Sequence, residues 1–231
     1  GFSPADLENL CNEAALLAAR DNEAEISNEV FKEASIKVVA GPEKKSQVVI
    51  EKERVLTAYH ESGHAIVSGF LEDNDKVHMI TIIPRGRAGG FTAYLPQEDA
   101  KFMTKRQMQH KLISLLGGRA AEEVVLDDIS TGASNDIERA TKIAHAMVTK
   151  YGMSKRLGPM MYGGDDAEVF LGEELGKNKQ YSDKIAYEID SEMRELIDEA
   201  YNKALNILNE NIDLLHALAN RLLEKETIGQ E

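Results

Sequence analysis

A single cysteine, Cys11, is all that this 231-residue chain offers in thiols, which excludes an internal disulfide framework and a zinc site built from several cysteines. Its neighbours Leu7, Leu10, Ala14 and Leu17 share a helical face. Cys11 is therefore expected to be a small buried hydrophobe, not a nucleophile. Basic residues are also in short supply: 27 Lys and Arg stand against 40 Asp and Glu, a net charge of −13. So acidic a chain has no electrostatic footprint for nucleic acid and is repelled by anionic lipid headgroups. No apolar run approaches the ~18 residues of a membrane span. No signal-like segment opens the chain, which starts at Gly1-Phe2-Ser3-Pro4 as though continuing from something longer. Hydrophobic residues nevertheless make up 42%, enough for a proper core.

Helical signals dominate. Ser3, Pro4 and Asp6 form a helix start, Ser27 caps a second helix through Val38, and Gly41-Pro42 ends that unit. A polar stretch follows at 43–49. A helix is expected from about Glu51 to Phe70, then strands at 76–83 and 90–95 around a loop at 84–89. Those two strands are the only β region expected, and everything after them reads as helix. Thr104 and Gln107 make a capping box for a helix containing Gly117-Gly118, a pair whose helix cost of roughly 1 kcal/mol each implies close contact with a neighbour. Further helices are expected at 135–151, 182–209 and 212–225, with a long loop at 153–179.

The informative motif is His60-Glu61-Ser62-Gly63-His64. On a helix, positions i and i+4 lie one turn apart on one face, so both imidazoles reach a single ion. Zinc accepts such nitrogens at about 2.0–2.1 Å. Glu61, beside the first ligand, is placed to act as general base on a water at the metal. Tyr59, Ala65, Ile66 and Val67 make the surroundings apolar, as a dry metal cavity requires. Gly63 lets a neighbouring element come close to the metal face.

A catalytic zinc takes a third protein ligand, and spacing leaves it open. No downstream H-x-x-G-x-x-H exists, and no Glu stands on a helix some twenty residues past His64. His78, His110, His145 and His216 are scattered singly and read as structural or surface residues. Asp136, at the turn Thr131–Ser134 into a helix, lies among helical N–H groups that favour its ionised form. A plain capping role is its alternative. Glu122 and Glu123 are rivals, as ligands or as partners of an imidazole N–H. The strand Val77–Ile83 either offers an exposed edge to an extended peptide or is an ordinary packed strand.

Several motifs together resemble the FtsH family of membrane-anchored AAA+ zinc proteases: His60–Ala65, Gly117-Gly118-Arg119-Ala120-Ala121-Glu122-Glu123, Ser130–Asp136, Gly152-Met153-Ser154 with Leu157-Gly158-Pro159, and Val169-Phe170-Leu171-Gly172. Order and spacing agree along essentially the whole chain. The resemblance implies that His60, His64 and Asp136 hold zinc and that Glu61 is the catalytic base. It implies a mainly α zinc metallopeptidase domain with a small β-sheet element at 51–231. A linker at 42–50 and the C-terminal part of a helical AAA+ lid at 1–41 would precede it. The substrates it implies are unfolded and membrane proteins, degraded by a homo-hexamer. ATP and Mg2+ would serve only the full-length protein, since the phosphate-binding loop, Mg-binding acids and arginine finger are not in this chain. The full-length protein would be membrane-associated, with this domain on the cytoplasmic or organelle-interior side and the present piece soluble by itself. A zinc-structured docking module and hydrolysis of a non-peptide substrate are the competing readings. Intact Glu61 speaks against the first and nothing speaks for the second.

Overall fold

The computed structural model describes residues 3–42, 50–72, 74–85, 88–95, 102–162 and 181–229. The linker at 43–49, the motif Val169–Gly172 and most of the 153–179 loop lie outside them. Two helices come first, α1 (Pro4–Arg20) and α2 (Asn28–Ala40). The Ser3 hydroxyl accepts from Asp6 N–H while the Asp6 carboxylate accepts from Ser3 N–H at 2.8 Å, the reciprocal capping box expected. The pair buries Ala14, Leu17, Ala18, Val30 and Ala34 between its helices. That stripe is narrow, and Cys11 falls outside it: the thiol is exposed, contrary to the buried position expected. Arg85, deeply buried, reaches back to Glu33 on α2 at 3.3 Å.

The rest is built around α3 (Glu51–Gly69) and α4 (Lys105–Leu126). Thr104 and Gln107 cap α4 reciprocally, as the sequence indicated. α5 (Ser134–Thr149), α6 (Asp183–Glu210) and α7 (Ile212–Lys225) complete the helices among the described residues. The main core draws Ile66 and Val67 from α3, Leu112, Leu115 and Leu116 from α4, Ala140, Ala144 and Met147 from α5, and Ala200, Ala204 and Ile207 from α6. α4 lies at its centre, against α3, α5 and α6.

The helix pair in broadest contact is α3 with α4. The reason is glycine. A Cβ on Gly63 would stand 2.4 Å from Gly117 O and 2.5 Å from Ala121 Cβ, so the two helices cross backbone to backbone.

The sheet has three strands in the order β2-β1-β3: β1 (Lys76–Thr81), β2 (Phe91–Leu95) and β3 (Thr227–Gly229). Both pairings are antiparallel, with Thr81 opposite Phe91 on one side and Thr227 on the other. One expectation is corrected: a strand follows the last helix. Of the two readings of Val77–Ile83, the packed strand holds, because β1 is central and its main chain is not an exposed edge. Thr227–Gly229 was missed because three residues are too few for an alternating pattern. The sheet closes on α3 and α7 through Ala58, Ala65, Ile80, Ile82, Ala219 and Leu222. No helix of the described residues is long and apolar enough to cross a membrane.

Candidate metal centre

α3 carries His60 and His64 on its buried face, where the rings meet edge to face with Nε2 atoms 3.1 Å apart. Asp136 enters from the first turn of α5, and its Oδ2 lies 3.4 Å from each Nε2. Ligands about 2.0–2.2 Å from a tetrahedral zinc stand roughly 3.3–3.5 Å from one another. The two sides to Asp136 have that length, and the side between the histidines is slightly shorter at 3.1 Å. The turn that delivers Asp136 runs over Thr131–Ala133, and Ser130 Oγ accepts from Gly132 N–H to start it.

Each ring is fixed from behind. His64 Nδ1 lies 2.8 Å from the Ser114 carbonyl, which can only accept, so Nδ1 carries the proton. His60 Nδ1 donates to Glu122 Oε1 at 2.7 Å, and Glu122 Oε2 accepts from Ser130 N–H at 2.7 Å. Both Nε2 lone pairs therefore face each other, an arrangement that favours a cation between them. Burial opposes charge on His60, but Asp136, Glu122 and Glu61 outweigh it and raise its pKa to about 10. Burial likewise opposes ionisation of Asp136 and Glu122. For Asp136 the hydrogen bonds and charge of both histidines win; for Glu122 it is His60 and the Ser130 N–H, and both acids end below the usual carboxylate range.

α4 forms the back wall. A Cβ on Gly118 would stand 2.6 Å from both His60 Nε2 and His64 Nε2, so any side chain there would fill the space between the ligand atoms. Glu61 is buried beside the triangle, and Thr92 Oγ1 donates to its Oε2 at 2.6 Å. Burial raises the Glu61 pKa, with both histidine charges opposing. A cleft of about 1020 Å³ opens over this group, bounded by β2 residues Phe91, Thr92 and Tyr94 and by Asn135 and Arg139 of α5.

Of the sequence candidates, His60, His64 and Asp136 converge, the one such group of metal-binding type among the described residues. Glu122 stands behind His60. Glu123 does not join them; it accepts from Tyr201 OH at 2.6 Å on the other side of α4. His216 pairs with Tyr59 OH at 2.9 Å, and His110 Nδ1 donates to the Glu72 carbonyl, both away from the triangle. Thr92 and the Ser114 carbonyl escaped the sequence reading. A threonine in a strand carries no signal, and a backbone carbonyl has no side-chain signature.

A model of peptidase family M41 matches residues 47–231, and one of an AAA+ lid domain matches 1–33. The chain is 57% identical over 231 residues to the ATP-dependent zinc metalloprotease FtsH of Caldicellulosiruptor bescii, covering all of this chain and 38% of that protein. It is 53% identical over 231 residues to the FtsH of Rubrobacter xylanophilus and 50% over 232 residues to that of Bacillus subtilis, 36% of each protein. It thus spans little more than a third of the length of these relatives. With a matching family model over most of its length and a buried His-Glu-x-x-His helix at its centre, the chain belongs to peptidase family M41.

Proposed function

We propose that this chain is the zinc-dependent endopeptidase unit of an ATP-dependent membrane protease. The observation that carries it is the triangle of 3.1, 3.4 and 3.4 Å between His60 Nε2, His64 Nε2 and Asp136 Oδ2, with both Nδ1 atoms already tied. Two neutral imidazoles and a carboxylate fit a zinc ion, and three protein donors are the count of a catalytic site, not a closed structural one. Zinc held there supplies Lewis acidity, polarising a carbonyl and bringing the pKa of water toward ~7. His60, His64 and Asp136 hold the ion. Glu61 takes the proton of the attacking water and passes it to the leaving amine. Its raised pKa suits both halves of that transfer.

An extended peptide is held at β2. Its far side carries no partner strand among the described residues, and it borders the cleft. Main-chain pairing tolerates any sequence, which suits a degradative enzyme acting on unfolded and membrane proteins. In the full-length protein, ATP hydrolysis by an AAA+ module threads substrate into a homo-hexamer anchored in the membrane. The relatives' names support the ATP dependence, and the AAA+ lid match at 1–33 supports the AAA+ module.

The test is zinc content and cleavage of unfolded casein by this chain and by Glu61→Gln. One zinc per chain in both, with cleavage by the parent alone, is expected. Absence of metal from both, or undiminished cleavage by Glu61→Gln, overturns the assignment. Zinc in both without cleavage by either favours a docking role.

A further inference from the structure

The general base of the proposed reaction has its orientation set by the strand that would hold the substrate. We infer that Thr92 is a positioning residue for Glu61, an inference that rests on the peptidase reading above. Thr92 lies on β2 opposite Ile80, and it is buried. Its hydroxyl donates to Glu61 Oε2 at 2.6 Å and lies 3.4 Å from the Glu61 main-chain oxygen. The one hydroxyl proton goes to the carboxylate at the shorter distance, and the same oxygen stands against the helix turn that bears it.

The second carboxylate oxygen is treated differently. Oε1 accepts no hydrogen bond among the described residues. It lies over Gly90, where a Cβ would approach to 2.9 Å of Oε1 and to 2.9 Å of Cγ. The entry to β2 therefore gives the carboxylate room on one side and an anchor on the other. With Oε2 occupied by Thr92, Oε1 is the oxygen left to take a proton. A free carboxylate on a Glu side chain samples several rotamers, and a charge-assisted bond of this length removes that freedom. Orientation of this kind acts on the chemical step and not on substrate affinity.

The placement also couples two functions. A peptide aligned on the outer side of β2 is registered against the same strand that holds Glu61. The scissile bond and the base then share one frame, and no loop intervenes between them.

The test uses Thr92→Val, which keeps shape and loses the hydroxyl, and Thr92→Ser, which keeps the hydroxyl. Glu61→Gln serves as control. For Thr92→Val we expect kcat on unfolded casein to fall roughly ten- to a hundredfold, with KM and the zinc dissociation constant unchanged. Thr92→Ser should recover most of the loss. Crystal structures of the parent and Thr92→Val should show Glu61 in one rotamer in the first and displaced in the second. Parent-like kcat in Thr92→Val, or an unmoved Glu61 carboxylate, overturns the inference, as does a loss that Thr92→Ser fails to repair. Glu61→Gln separates the two levels. If it cleaves casein as the parent does, the peptidase reading fails; if it is inactive while Thr92→Val is unaffected, only the role of Thr92 fails.

Discussion

Glu122 joins two parts of the site that lie far apart in the chain: one oxygen orients His60, and the other holds Ser130 at the entrance to the turn that brings in Asp136. Replacing it by Gln keeps the volume and removes the charge. Glu122→Gln should weaken zinc binding about 10–100-fold, read by competition with a chromophoric chelator at fixed pH; an unchanged affinity would leave Glu122 a mere filler. At this scale the sequence was legible where chemistry follows helical period. His60, Glu61 and His64 stand within one turn and could be read directly. Asp136 could not, because nothing periodic connects residue 64 to residue 136, and spacing alone left Glu122 and Glu123 beside it as rivals. The two glutamates are adjacent in sequence but about 100° apart around α4, so one backs His60 and the other meets Tyr201. Only the fold separates them.

At the scale of elements, the site depends on how closely α4 lies against α3. Gly63 and Gly117 bring the backbones together, and Gly118 then leaves the space between the two Nε2 atoms open. Gly118→Ala should therefore abolish zinc binding without unfolding the chain. The imidazoles can swing away from the new methyl group, but only by leaving the ligand triangle, while alanine favours the helix by roughly 1 kcal/mol. Metal analysis and circular dichroism of the metal-free forms check this: zinc absent, helical content the same as the parent's. Retained zinc would mean that α4 can retreat. The helices themselves were legible, since caps at Ser3, Ser27 and Thr104 mark three of their starts. Neighbour relations were not. Binary pattern says which face of α3 is buried and not what buries it, so α4 between α3 and α5, and β1 between two partners, emerged only from the structure.

For the molecule as a whole, the site links stability to pH. In the metal-free chain the His60 pKa is about 10 against 6.5 for the free side chain. Its contribution to stability is complete below about pH 6.5 and is lost as pH rises through about 10. Asp136 is shifted the other way, so its contribution is present above its unfolded pKa near 4 and is lost as pH falls below that. Chelator-treated protein should therefore melt at steadily lower temperature between pH 6.5 and 9.5, and the zinc-loaded protein much less so, because there the ion takes the place of the His60 proton. Parallel melting curves for the two forms would contradict this. The sheet beside the site adds a matter of timing. Arg54, on the histidine helix, donates to the Leu223 carbonyl 169 positions later in the chain, and Ile82 N–H waits for the Glu226 carbonyl. On the ribosome, helix α3 and the hairpin that carries Thr92 emerge long before the residues that close the sheet behind them. A nascent copy thus holds His60, Glu61 and Thr92 in an open frame until β3 emerges to close it.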